Sequence, residues 1–178
     1  NEDLPKISKK HINKRGTVLF RSCHAATILE LPDGTLLCAF FGGSAEGARD
    51  VEIRLCRKEP GKKWTAPVNV ADGMLNDKRH STGNPALFQT FDGKIILFYK
   101  ILPGYRYGAM KTSTDGGKTW SKMKQICNKC IGPEKNKPVQ LEDGTIIAPS
   151  SDKNGDSGIR VEISKDNGET WTITEGIG

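Results

Sequence analysis

At 178 residues, with 27 lysines and arginines against 21 acids, the chain has a formal net charge of +6 and is 35% hydrophobic. The length suits one domain with room for a core, no apolar run is long enough for a membrane helix, and no signal peptide is visible, which leaves cytoplasmic, periplasmic and secreted locations open. The positive charge is scattered through Lys6, Lys9 and Lys10, residues 58–63 and residues 111–137, without a nucleic-acid-binding motif, so it argues for an anionic sugar over a nucleic-acid partner.

Residues 1–22 form an N-terminal segment that can supply a closing strand. Residues 24–31 and 35–41 then read as two apolar strands around the Asp33-Gly34 turn, a strong hairpin signal. A Gly-rich loop over 42–49 leads into a third strand at 50–57, and Arg57, Glu59, Gly61 and Trp64 mark the turn toward a fourth. The pattern then recurs. Strands at 84–90 and 94–100 flank Asp92-Gly93, and a third at 107–113 ends in Ser113-Thr114-Asp115-Gly116-Gly117-Lys118-Thr119-Trp120. Strands at 136–142 and 145–151 flank Asp143-Gly144, and a third at 158–164 ends in Ser164-Lys165-Asp166-Asn167-Gly168-Glu169-Thr170-Trp171.

The last two signatures share Ser-x-Asp-x-Gly-x-x-Trp, and the first unit holds a degenerate copy. Ser and Asp can close a tight turn by accepting from nearby backbone N–H groups, Gly supplies an unusual backbone conformation, and Trp covers the turn. Trp64, Trp120 and Trp171 are 56 and 51 positions apart, while Gly34, Gly93 and Gly144 are 59 and 51 apart, so two landmarks keep step. Units of this length with four short strands are propeller blades, here 23–71, 80–127 and 132–178. The expected class is therefore all-β, a β-propeller of four-stranded antiparallel blades with no amphipathic helix. Three blades fall short of the roughly four to eight that close a ring, so further blades of a longer polypeptide or of another chain are expected to complete it.

The meander also sorts the loops. Asp-Gly turns and Asp boxes share one face and read as scaffold; the lead-ins to strand one and the loops between strands two and three share the other, where function is expected. Of the five cysteines, Cys38 and Cys56 fall inside strands as small core residues, Cys23 lies beside a strand start, and Cys127 and Cys130 form a lone C-x-x-C. With no second pair and no nearby His, that motif reads as a loop or redox-sensitive pair over a zinc site. No metal or cofactor is implied.

The order His24-Ala25-Ala26-Thr27, Phe41-Gly42-Gly43, Glu46-Gly47, Asp50-Val51, Gly83-Asn84-Pro85, Gly132-Pro133-Glu134-Lys135-Asn136-Lys137-Pro138 and Ala148-Pro149-Ser150-Ser151, together with the Asp boxes, resembles the Asp-box or BNR-repeat family that includes the sialidases (neuraminidases), in a bacterial-type branch. The resemblance covers residues 23–171 and implies a six-bladed propeller and an exo-acting, retaining glycosidase for terminal acidic sugars such as sialic acid. It implies that Asp50 is the acid/base, with Glu46 the second candidate carboxyl. His24 stands where sialidases place an Arg for the substrate carboxylate, a departure from the family pattern that Arg21, three residues earlier, could offset. Arg49, Arg79, His80 and Asn84 are further binding candidates, and Lys135, Asn136 and Lys137 form an anion-binding group. Tyr99, Tyr105 and Arg106 either line the pocket or pack beside it. The remaining arginines and the Tyr nucleophile with its Glu partner belong to later blades in sialidases, so the chain alone is expected to supply half a site and no hydrolysis. Two alternatives stay open: a non-catalytic carbohydrate- or protein-binding propeller, and another glycosidase or polysaccharide lyase on the same scaffold.

Overall fold

Alternation of apolar residues along each strand decides how the sheets stack. The computed structural model describes residues 12, 20–104, 106–134, 136–151 and 159–174, and these form three four-stranded antiparallel sheets and one small hairpin. The first sheet holds β1 (Ser22–Glu30), β2 (Leu36–Gly43), β3 (Glu52–Lys58) and β4 (Val68–Ala71). The hairpin of β5 (Met74–Leu75) and β6 (Lys78–Arg79) leads to the second, with β7 (Ser81–Gln89), β8 (Ile95–Leu102), β9 (Tyr107–Ser113) and β10 (Lys124–Gln125). The third holds β11 (Val139–Gln140), β12 (Ile146–Ser151), β13 (Ile159–Ser164) and β14 (Thr172–Ile173). Spatial order follows chain order in every sheet, the meander of a propeller blade.

Two local features differ from expectation. The hairpin between the first two sheets is additional to the expected strands; Asn76 and Asp77 both adopt positive φ, 50° and 59°, the conformation of a two-residue hairpin turn. The first strand of the third sheet shrinks to Val139–Gln140, because the preceding Pro138 has no N–H to donate to a ladder.

The middle sheet is buried on both faces, which is why β8 reads as a continuous apolar run. Ile95, Leu97, Tyr99 and Ile101 pack with Leu37, Ala39 and Phe41 of β2 and with Ile53 and Leu55 of β3. Ile96 and Phe98, on the opposite row, pack with Ile146, Ala148 and Trp171, whose indole meets Phe98 edge-on at 5.5 Å. Each buried Leu, Ile or Phe among these stabilises the stack by about 1.5–3 kcal/mol. Cys38 and Cys56 are cross-strand partners under Ile12, Phe20 and Trp64, and burial followed by the neighbouring Cys38 pushes the Cys56 thiol up to about 11.

The Asp boxes build the connections from β9 to β10 and from β13 to β14. In the first, the Gly117 N–H donates to Ser113 Oγ at 2.9 Å, and the Lys118 and Thr119 N–H groups donate to Asp115 Oδ1 at 3.0 Å. In the second, Gly168 N–H donates to Ser164 Oγ at 2.8 Å and Thr170 N–H to Asp166 Oδ1 at 2.8 Å. A Cβ on Gly117 would stand 2.8 Å from Leu37 Cδ1, and one on Gly168 2.5 Å from Ile96 Cδ1, so each box glycine is where a turn closes onto the preceding sheet. The degenerate first copy contributes differently, because Arg57, at the Ser position, donates across to the Gly116 carbonyl of the second sheet's box. Boxes also reach the Asp-Gly turns of the sheet before, as in Asn167 Nδ2 to Asp92 Oδ2 at 2.7 Å, so both turn types share one end of the blades.

Candidate functional site

At the other end, β1 and β7 carry the same irregularity. His24 pairs with Phe41 but Thr27 with Ala39, and Gly83 pairs with Lys100 but Ala86 with Phe98, so each strand gains one residue in a β-bulge. The extra residues, Ala25 and Asn84, adopt left-handed φ of 55° and 47°. Such backbone is costly for Ala and tolerable for Asn, and a bulge re-aims the side chains beside it. Here it turns the starts of both strands toward a common cavity of about 590 Å³, walled also by the β2–β3 loop, the β8–β9 loop and the segment before β11.

Four ionisable side chains and one amide face this cavity: His24, Glu46, Arg106, Glu134 and Asn84. His24 Nε2 lies 2.9 Å from Glu46 Oε2, with side-chain exposures of 52% and 69%, and its ring rests 4.3 Å from the Phe41 ring centroid. Arg106 donates to Glu134 and, at 3.5 Å, to the Ser151 carbonyl; this pair is far less exposed, 22% and 18%. The cavity therefore has an open His–Glu wall and a half-buried Arg–Glu wall.

Glu134 is positioned by a buried clamp on the residues preceding it. Lys100 of β8, 1% exposed, donates to the carbonyls of Ile131, Gly132 (2.7 Å) and Pro133 (3.3 Å). Glu162 of β13, also 1% exposed, accepts from the Ile131 N–H at 2.7 Å, the Gly132 N–H at 2.9 Å and Ser150 Oγ at 2.9 Å. Burial pushes the Lys100 ammonium down to about 7, with Glu162 and Glu134 opposing the shift. A cation on one sheet and an anion on the next thus hold one stretch of backbone between them, all polar groups partnered. Cys127 and Cys130, joined in a disulfide, close the turn just before it. Lys100 interrupts the apolar run of β8 and Glu162 sits inside β13, signals in the sequence that did not enter the expected site.

The expected site residues divide. His24, Glu46 and Asn84 meet in the cavity, as does Arg106. Asp50, the acid expected from the family pattern, is not among its lining residues: its carboxylate accepts from Ser44 N–H at 3.0 Å and Ser44 Oγ at 2.8 Å, bonds that close the β2–β3 loop. The Ser44 hydroxyl, with burial opposing it, holds the Asp50 carboxyl below the usual range. Arg79 donates to the Arg49 carbonyl at 3.0 Å and pairs with Glu52, the backbone N–H of His80 donates to the Gly73 carbonyl at 2.9 Å, and Lys137 reaches the Ile28 carbonyl. None of these, nor Arg21 or Asn136, lines the cavity. Tyr99 is a packed core aromatic, 1% exposed. Lys135 and Tyr105 lie outside the described residues. Among the described residues no group of three or more His, Cys, Asp and Glu could hold a metal ion, and no helix is long and apolar enough to cross a membrane.

Four-stranded antiparallel sheets stacked face to face around a loop-lined cavity define a β-propeller of the sialidase type. The family described as BNR repeat-like domain matches residues 34–178, and the chain belongs to it. No curated protein is significantly similar in sequence. Among 126 similar solved chains is the leech intramolecular trans-sialidase in complex with 2,7-anhydro-Neu5Ac (13% identity, TM-score 0.74), matched over 96% of this chain and 46% of that one. The Hadza microbial sialidase Hz136 matches at 19% identity and TM-score 0.69 over 86% and 37%, and Zg3597, a family 117 glycoside hydrolase from Zobellia galactanivorans, at 13% and 0.64 over 86% and 55%. The chain thus spans about half or less of the propellers it resembles, and the likeness is one of fold.

Proposed function

We propose that this chain supplies the proton-donor half of a sialidase-like, exo-acting and retaining glycoside hydrolase site, the rest coming from further blades of a longer polypeptide or of another chain. The observation that carries this reading is the convergence of Glu46, His24, Asn84 and Arg106 in one cavity on the loop face of a BNR-repeat propeller. Glu46 replaces Asp50 as the proposed acid/base. Its carboxyl borders the cavity, His24 orients it, and its exposure gives the proton a route back from solvent after each turnover. Asn84 and His24 present a donor and an acceptor to sugar hydroxyls. Asp50 acts indirectly, by fixing the loop that carries Glu46.

A second reading, a carbohydrate-binding propeller without catalysis, draws on one specific observation: His24 stands where the sialidase pattern has an arginine. Glu46→Gln in the complete protein separates the two. For a catalytic acid, hydrolysis of alkyl glycosides, whose leaving groups need a proton, falls by about 10²–10⁴-fold, while aryl glycosides with acidic leaving groups suffer less. Near-normal rates of the variant on alkyl glycosides would sink the assignment; absence of any hydrolysis by the wild-type complete protein, with sugar binding intact, would favour the binding module.

A further inference from the structure

The disulfide between Cys127 and Cys130 has no part in the proposed chemistry, yet it adjoins the stretch of chain that shapes the cavity. It closes a four-residue turn in which the Cys130 N–H donates to the Cys127 carbonyl at 3.2 Å and the third residue, Lys129, adopts a left-handed φ of 68°. That conformation suits Gly or Asn and is unfavourable for Lys, so the cross-link is what holds the turn. A link spanning three positions removes less entropy from the unfolded chain than a long loop does, and its effect is chiefly local. What it holds is the start of the clamp. Cys130 is joined to Ile131, whose N–H donates to the buried Glu162 and whose carbonyl accepts from the buried Lys100. The same peptide rests on Gly108 of β9, where a Cβ would stand 2.6 Å from the Cys130 carbonyl oxygen and 2.8 Å from the Ile131 carbonyl carbon. A few residues on, Glu134 pairs with Arg106 in the cavity wall. The two sulfurs are unequal: Cys130 is 2% exposed, whereas Cys127 is only half-buried and within reach of an incoming thiolate.

We propose that Cys127 is a thiol-exchange site, and that its disulfide with Cys130 locks the Arg106 and Glu134 wall of the cavity until a dithiol reductant releases it. One thiolate of the dithiol attacks Cys127 Sγ, the bond between Cys127 and Cys130 breaks, and Cys130 leaves as a thiolate and takes up a proton. The second thiol of the reductant then attacks its partner sulfur in the mixed disulfide and frees Cys127, so two cysteine thiols form as one dithiol is oxidised to a disulfide. With the link open, Lys129 leaves its left-handed conformation and the backbone at 131–133 loosens from Lys100 and Glu162. That this loosening changes sugar turnover rests on the proposed function; the loosening itself does not.

The test treats the complete protein with graded dithiothreitol, labels it with iodoacetamide and follows amide hydrogen exchange by mass spectrometry. The other cysteines are internal references: Cys23 is exposed and labels in both states, while Cys38 and Cys56 are buried and label only if the fold opens. Reduction is expected to label Cys127 and Cys130 with Cys38 and Cys56 still protected, and to speed exchange at Ile131 and Gly132 by at least about tenfold while β8 stays protected. Lys129→Gly, whose turn holds without the link, should lose most of that acceleration. Turnover of alkyl glycosides should fall by about tenfold on reduction and return on reoxidation, because a shifted wall misplaces the substrate. Cys127 that labels only together with Cys38 and Cys56, exchange at Ile131 and Gly132 unchanged by reduction, or turnover indifferent to it overturns the inference. If the oxidised protein turns over no sugar, the proposed function fails, and labelling and exchange still decide this inference.

Discussion

The two ends of the blades follow opposite plans. At the turn end the chain repeats one local solution, with Asp115 and Asp166 each accepting from the Thr four residues on and Ser113 and Ser164 each accepting from the box glycine. At the cavity end only the backbone repeats: the bulges at Ala25 and Asn84 match, but the side chains they present, His24 and Ala26 on one strand and Asn84 and Pro85 on the other, do not. The difference shows where each kind of constraint acts. Turns must close the same way in every blade for the sheets to stack, while a cavity needs unlike groups at equivalent positions to be chemically asymmetric.

If the two ends are separable, substitutions should separate too. The largest effect belongs to the cavity end: Glu46→Gln should lower alkyl-glycoside turnover by about 10²–10⁴-fold with an unchanged melting temperature, since its side chain is 69% exposed. Next comes Glu162→Ala, at the clamp that ties the cavity wall to the sheets. It strips partners from two buried N–H groups and Ser150 Oγ, and should cost about 3–5 kcal/mol, read from urea unfolding. A loss below about 1 kcal/mol would show that water replaces the carboxylate and that the clamp does not hold Glu134.

Much of the turn end was legible in the sequence because its physics is local. Ser113, Asp115, Gly117 and Trp120 lie within eight residues, and the first three bond to one another, so spacing alone reveals the motif. The repeat of Asp-Gly turns likewise located most strands to within a residue or two. The cavity was legible by face and only partly by residue. Loop sorting brought His24, Glu46 and Asn84 to it, yet whether Glu46 or Asp50 points inward depends on Ser44, a hydrogen bond within the loop that no periodicity encodes. Lys100 and Glu162 are separated by 62 positions and meet through a backbone segment between them, a three-part arrangement visible only once the sheets are stacked.

Two glycines with the same backbone twist sharpen the comparison at smaller energies. Gly168 and Gly144 have φ of 85° and 87°, but a Cβ on Gly168 would lie 2.5 Å from Ile96 Cδ1 while one on Gly144 meets nothing within 4 Å. Gly144→Ala should therefore cost about 1 kcal/mol, the backbone strain alone, and Gly168→Ala about 2–4 kcal/mol, strain plus overpacking against the middle sheet. Equal losses in chemical denaturation would mean that Ile96 yields and that the box glycine is chosen for conformation only.

The smallest effect is the acid dependence of the turn end. Burial works against the charged Asp166, but the hydroxyl and N–H of Thr170 and the Ser164 hydroxyl outweigh it and hold its carboxyl down at about 2; the Thr119 hydroxyl and N–H hold Asp115 lower still. Unfolded Asp titrates near about 3.9. Because both folded values lie below the unfolded one, the boxes contribute their full electrostatic stability above about pH 4 and lose it as pH falls through the folded values toward about 2. The melting temperature should therefore drop across that window, and drop less steeply in the Asp115→Asn, Asp166→Asn double variant. Part of the slope should survive, since Asp33, Asp50, Asp92, Asp143 and Glu59 are also held low by their own hydrogen bonds. All of these carboxylates are near the surface, so screening keeps the effect small, and added salt should flatten it further. An acid slope identical in wild type and double variant would place the titrating groups elsewhere. The remaining candidates would then be the Asp-Gly turn carboxylates Asp33, Asp92 and Asp143, Glu59 of the degenerate box, and Asp50 with its Ser44 contacts at the cavity end.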